Sequence, residues 1–123
     1  MQHTTKVSIL GTEYQIEVKK YDEEEAFARC NIIGRCSGYE KTIQICDMTT
    51  HPNWKEESPV ACAAIQREIL RHEIIHAYLD ESGLGDNAHT YNGPWTQNEE
   101  MVDWIAQQYP KLEKTFKEAG CAD

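Results

Sequence analysis

The feature that most constrains this chain is an uninterrupted helical stretch opened by Ser58-Pro59 and closed by Gly83 and Gly85. Serine suits the helix cap and proline the first helical position, while glycine past the last turn ends the run. Between them, Ala61, Ile65, Ile69, Ile75 and Leu79 recur close to the helical period. About 24 residues at about 1.5 Å each span about 36 Å, more than a surface helix needs, so this is expected to be a central element of the domain. In its second half stand His72, Glu73 and His76, in the order His-Glu-x-x-His.

That spacing has a mechanical consequence. Residues four apart on a helix share a face, so both imidazoles can reach one ion. Glu73 follows the first histidine and projects toward a water on that ion. The pattern is the one in which two histidines bind zinc and the glutamate serves as general base. Two histidines and a glutamate directed at a core need partners, because unpaired polar groups are costly to bury. The competing reading is a pair of solvated helix-face histidines.

A catalytic zinc takes three protein ligands and leaves a position for water. The run Asn98-Glu99-Glu100-Met101-Val102-Asp103 offers the third. Thr96-Gln97-Asn98-Glu99 matches a capping box, which predicts a second helix starting near Thr96. Its apolar stripe is Met101, Val102, Ile105 and Tyr109; Pro110 is expected to kink or break it, with Lys111 to Ala119 continuing as helix and Gly120 ending it. Glu99, in the first turn, is the candidate third ligand, with Glu100 the runner-up about 100° away. Asp103, one turn on, can accept a hydrogen bond from a ligating histidine. Glu99 also fits a plain capping-box carboxylate, and both readings stand at this point.

Before the long helix, residues 5–10 and 13–18 alternate polar and apolar around Gly11-Thr12, predicting a β-hairpin. Asp22 to Arg29 favours a short helical turn, Asn31 to Gly38 reads as irregular, and Thr42 to Asp47 alternates again as a strand with Ile43 and Ile45 on one face. The expected fold is a single α+β domain over residues 1–123: a small N-terminal sheet, hairpin plus one or two strands, then two helices. Trp54, Trp95 and Trp104 are expected to close the small core.

The remaining composition limits partners. With 21 acidic against 12 basic residues and a net charge of −9, the surface repels a phosphate backbone, so no nucleic-acid partner is expected. No apolar run approaches the ~20 residues of a membrane span. Met1 to Lys6 lack the layout of a signal peptide, which predicts a cytoplasmic protein. The five cysteines, Cys30, Cys36, Cys46, Cys62 and Cys121, include no C-x-x-C pair and read as reduced, mostly buried thiols.

His-Glu-x-x-His followed by Asn-Glu-x-x-x-Asp on a second helix resembles the gluzincins, the thermolysin-like clan. The run Arg71-His72-Glu73-Ile74-Ile75-His76-Ala77-Tyr78-Leu79 and the short chain are similar to small phage and mobile-element metallopeptidases, the ImmA/IrrE type above all. The likeness spans roughly residues 30–112, with Glu68 to Asp103 carrying most of it. It implies a zinc peptidase acting on a peptide or protein substrate, such as a regulatory protein of a mobile element. The glutamate would be the third ligand and the aspartate would support a histidine. The last strand before the active-site helix, here Tyr39 to Cys46, would form the rim on which substrate pairs as an added strand. Such enzymes also bring a His or Tyr to the oxyanion; His89 and Tyr91 are candidates by position in the loop between the helices. The alternative is a catalytically silent or latent zinc-binding module acting as a regulatory partner. Latency by the tail is one form of it, with Cys121 or the Asp123 carboxylate on the metal.

Overall fold

The computed structural model describes residues 3–83 and 98–123. The order is β1 (His3–Ile9), β2 (Thr12–Lys20), α1 (Glu25–Arg29), β3 (Gly34–Ser37), β4 (Thr42–Asp47), α2 (Pro59–Glu81) and α3 (Glu99–Ala119). The four strands make one sheet in the order β1-β2-β4-β3, followed by two long helices, an α+β architecture. β1 and β3 run antiparallel to their neighbours, while β2 and β4 are parallel.

The hairpin turn falls one residue earlier than the sequence suggests. Ile9 pairs with Thr12, so Leu10 and Gly11 are its central residues, with φ of 49° and 88°. Positive φ at both positions is the primed turn whose twist matches a hairpin, and Gly11 takes it at no steric cost. A second correction concerns residues 31–38. Gly34–Ser37 is not irregular but a short strand, held by pairing with β4. Four residues are too few for a visible alternation, so tertiary pairing decides their state.

One face of the sheet carries Tyr14, Ile16, Ile43 and Ile45 into the core, where Cys62, Ile69 and Ala77 of α2 meet them. Phe27 from α1 joins the same cluster. α2 begins as its sequence signals imply: Ser58 Oγ accepts from the Ala61 N–H at 3.1 Å and Pro59 stands at the first position. Its fully buried positions are Cys62, Ile69, Glu73 and Ala77, so a carboxylate lies on the core-facing line.

α3 packs along α2 through Val102 and Ala106. Asn98, not Thr96, caps it, its side chain accepting from the Met101 N–H at 3.0 Å. One aromatic expectation is corrected. Trp54 packs against the core, but Trp104 is 57% exposed on α3, and Trp95 lies outside the described residues. Of the cysteines, Cys46 and Cys62 are buried and Cys36 half-buried, whereas Cys30 and Cys121 are exposed; none is paired.

Candidate metal centre

α2 and α3 run alongside one another so that the middle of α2 faces the first turns of α3. This brings together five side chains from the two motifs. His72 Nε2 and His76 Nε2 are 3.1 Å apart. The Glu99 carboxylate spans them, with Oε2 at 3.0 Å from His72 Nε2 and Oε1 at 2.8 Å from His76 Nε2. Asp103 Oδ1 lies 2.7 Å from His72 Nδ1. Glu73, His72 and His76 offer ligand atoms within 4.8 Å of one another, a group that can hold a metal ion.

The hydrogen-bond roles follow from the acceptors. A carboxylate cannot donate, so His72 Nδ1 carries a proton and gives it to Asp103. A neutral His72 therefore turns a bare Nε2 lone pair toward a Glu99 oxygen 3.0 Å away. That contact is repulsive unless a second proton on His72 or a cation lies between. Three donors bonded at about 2.0–2.1 Å to a tetrahedral ion stand about 3.3 Å apart. His72 Nε2 and His76 Nε2 stand 3.1 Å apart, near that spacing, and the two Glu99 oxygens lie 3.0 and 2.8 Å from them, so the donors are already gathered at one point. Two imidazoles and a carboxylate are donors for zinc, and imidazole also takes cobalt, nickel and copper.

Glu73 differs from the other acids in its surroundings. It is 7% exposed. Burial pushes its carboxyl up from the ordinary 4.5 to about 7; His72 opposes the shift, and the Glu99 and Asp103 carboxylates add to it. Glu99, by contrast, is well exposed at the lip of the site. Glu100 is turned elsewhere, lining a separate surface hollow with Asn98, Met101 and Trp104.

A cleft of about 290 Å³ opens beside these groups. Ile32, Ile33 and Gly34 form one wall, Ile65 and Ile69 another, with His72, Glu73, Glu99 and Asp103 along it. Its strand wall is β3, and this corrects the expectation that Tyr39 to Cys46 would be the rim. β4 pairs on both sides, with β2 and β3, and has no edge to offer. The Cys46 N–H bonds to the Ile33 carbonyl at 2.9 Å, which fixes the alternation of the antiparallel pair. The peptide groups of Gly34 and Cys36 therefore face away from β4, on the outer side of β3.

Gly34 is a site residue that the sequence does not single out. A Cβ there would sit 2.6 Å from Ile69 Cγ2 and 3.2 Å from Glu73 Oε2. Only glycine lets the strand approach α2 this closely. A glycine opening a four-residue polar segment carries no sequence signal for that role.

The other candidates fall elsewhere. His89 and Tyr91 lie outside the described residues. Cys121 and Asp123 follow the far end of α3, whose 21 residues put them about 30 Å from Glu99 at about 1.5 Å per residue. The tail therefore cannot close over the site of its own chain.

No family model matches the chain, and comparison with curated proteins and with solved structures finds no match. Among the described residues, no helix is long and apolar enough to cross a membrane.

Proposed function

We propose that this chain is a zinc-dependent peptidase of the gluzincin type, with His72, His76 and Glu99 as ligands and Glu73 as general base. The observation that carries this reading is the Glu99 carboxylate seated 2.8 and 3.0 Å from the two histidines, with a second carboxylate, Glu73, buried beside them. A structural site has no use for that second acid, and burying a carboxylate without function is costly.

Zinc held by His72, His76 and Glu99 would supply a Lewis acid and make water acidic enough to react near neutral pH. Glu73 takes the proton of the attacking water and returns it to the departing amine. Burial raises the Glu73 pKa in the metal-free site, and a divalent ion beside it would pull the carboxyl back toward the ionised form that accepts a proton. Asp103 holds the Nδ1 proton of His72, keeping Nε2 free and aimed at the ligand position. An extended peptide pairs with the outward peptide groups of Gly34 and Cys36 on β3, adding a strand to the sheet. The isoleucines along the cleft, Ile32, Ile33, Ile65 and Ile69, favour an apolar side chain beside the bond that is cut.

Metal analysis of the full chain with a cleavage assay on an unfolded protein tests this. About one ion per chain is expected. Glu73→Gln should keep the ion and lose activity by about 10²-fold or more. Loss of metal in Glu73→Gln would make Glu73 a ligand instead. A fully loaded parent that cuts no unfolded chain would favour a silent zinc-binding module.

A further inference from the structure

α3 contains Pro110 in its interior and yet runs unbroken to Ala119. Proline has no N–H, so the carbonyl four residues earlier, that of Ala106, lacks a donor within its own helix. Ala106 is 1% exposed, and a buried carbonyl has to find a partner in the protein. It finds one on the neighbouring helix. Arg71 Nε donates to Ala106 O at 2.7 Å.

The position of this bond gives it a second consequence. Arg71 directly precedes His72 on α2, and Ala106 lies one turn beyond Asp103 on α3. The seam between the helices is otherwise thin, since only Val102 and Ala106 of α3 are fully buried. Such small apolar contacts tolerate a slide or rotation of one helix on the other. An ordinary helix interior also presents no free carbonyl to mark a register. Pro110 leaves one carbonyl in this stretch without its intrahelical donor, and that is the carbonyl to which Arg71 donates.

We propose that Arg71 and Pro110 together form a register lock that sets α3 on α2 and so places Glu99 and Asp103 against His72 and His76. Arg71 is a positioning residue for the donor cluster. The consequence for metal rests on the reading proposed above, while the lock itself rests only on the Arg71–Ala106 bond and the missing proline donor. A slip of one residue along α3 would shift Glu99 by about 1.5 Å and rotate it by about 100°, enough to take it off the histidines.

The test is a double-mutant cycle on the full-length chain with Arg71→Met, Pro110→Ala and the pair. Pro110→Ala returns an N–H to the Ala106 carbonyl and so removes the mark that Arg71 reads; by itself it is expected to weaken cobalt binding about as much as Arg71→Met does. Cobalt(II) alone is the metal probe, read by its visible absorption and by chelator competition. Urea unfolding of the metal-free proteins is the second readout. Arg71→Met is expected to weaken cobalt binding about tenfold or more, as loss of a ligand's supporting contact does, and to alter the absorption bands. In the Pro110→Ala background the same change should be nearly silent in both readouts.

An unchanged cobalt affinity in Arg71→Met, or an equal loss in both backgrounds, would overturn the lock. If the parent itself shows no cobalt bands, the metal reading fails. The lock is then judged on unfolding alone, where additive effects refute it and coupling of the two sites upholds it. Should Arg71→Met not fold, recovery in the double variant supports the lock, and failure of both refutes it.

Discussion

Two adjacent glutamates, Glu99 and Glu100, illustrate how much one position on a helix decides. They share charge, chain position and a favourable place in the first turn. A rotation of about 100° separates them, and only Glu99 reaches the histidines. Glu99→Ala should therefore abolish tight metal binding in a titration, whereas Glu100→Ala should leave it within about twofold, since it removes a solvated charge with no ligand contact. Gly34 makes a different point at the same scale. Adding a methyl group puts it 2.6 Å from Ile69 Cγ2, an overpacked contact that costs about 1–3 kcal/mol. Gly34→Ala should lower the urea midpoint and displace Glu73 more than the histidines. The expected signature is retained metal with reduced cleavage; wild-type stability and activity would mean that the strand can retreat from α2 freely.

At the scale of elements, the cap of α3 matters because the candidate ligand lies one residue past it. Asn98 Oδ1 holds the Met101 N–H at 3.0 Å. Asn98→Ala should cost about 1 kcal/mol in denaturant unfolding, and it should weaken metal binding as well, because the turn that frays is the one presenting Glu99. Asn98→Asp keeps an acceptor and should preserve both. The long helix was legible from its local chemistry: Ser58, Pro59 and Gly83 act through neighbours in the chain. β3 was not, because its four residues become a strand only by pairing with β4. The same pairing moved the sheet edge from Tyr39–Cys46 to Gly34–Ser37. Sequence order alone does not reveal which of two successive strands ends up outside.

Across the whole molecule, one polar cluster ties the sheet to the end of α2. Glu81 accepts from Lys41 Nζ at 2.6 Å, Tyr14 Oη at 2.7 Å and Thr12 Oγ1 at 3.1 Å. These donors, Lys41 first, hold its carboxyl down from 4.5 to about 2. A depressed carboxyl pKa stabilises the fold above the unfolded value, and that contribution is lost as pH falls from about 4.5 toward about 2. Glu81→Gln should thus lose stability relative to the parent at pH 7, and the gap should narrow steadily as pH falls from about 4.5 toward about 2. Urea unfolding of both proteins at several pH values checks it; a gap independent of pH would show that Glu81 is not the titrating group. At the alkaline end, burial and the bond to Glu81 raise the Tyr14 pKa, so its contribution is lost as pH climbs above the ordinary value of 10.

The sequence by itself determined what depends on near neighbours in the chain. It placed His72, Glu73 and His76 on one helix, opened that helix at Ser58-Pro59, and put Asp103 one turn after Glu99, because helical geometry converts spacing into direction. Only the tertiary structure decided what lies between elements. It set Glu99 and not Glu100 beside the histidines, with the Glu99 carboxylate within 3.0 Å of His72, and packed Gly34 onto Glu73. It also buried Glu73 to 7% exposure and gave the Ala106 carbonyl to Arg71. Those facts depend on how α2, α3 and β3 pack, and packing is set by shapes and burial summed over residues far apart in the chain.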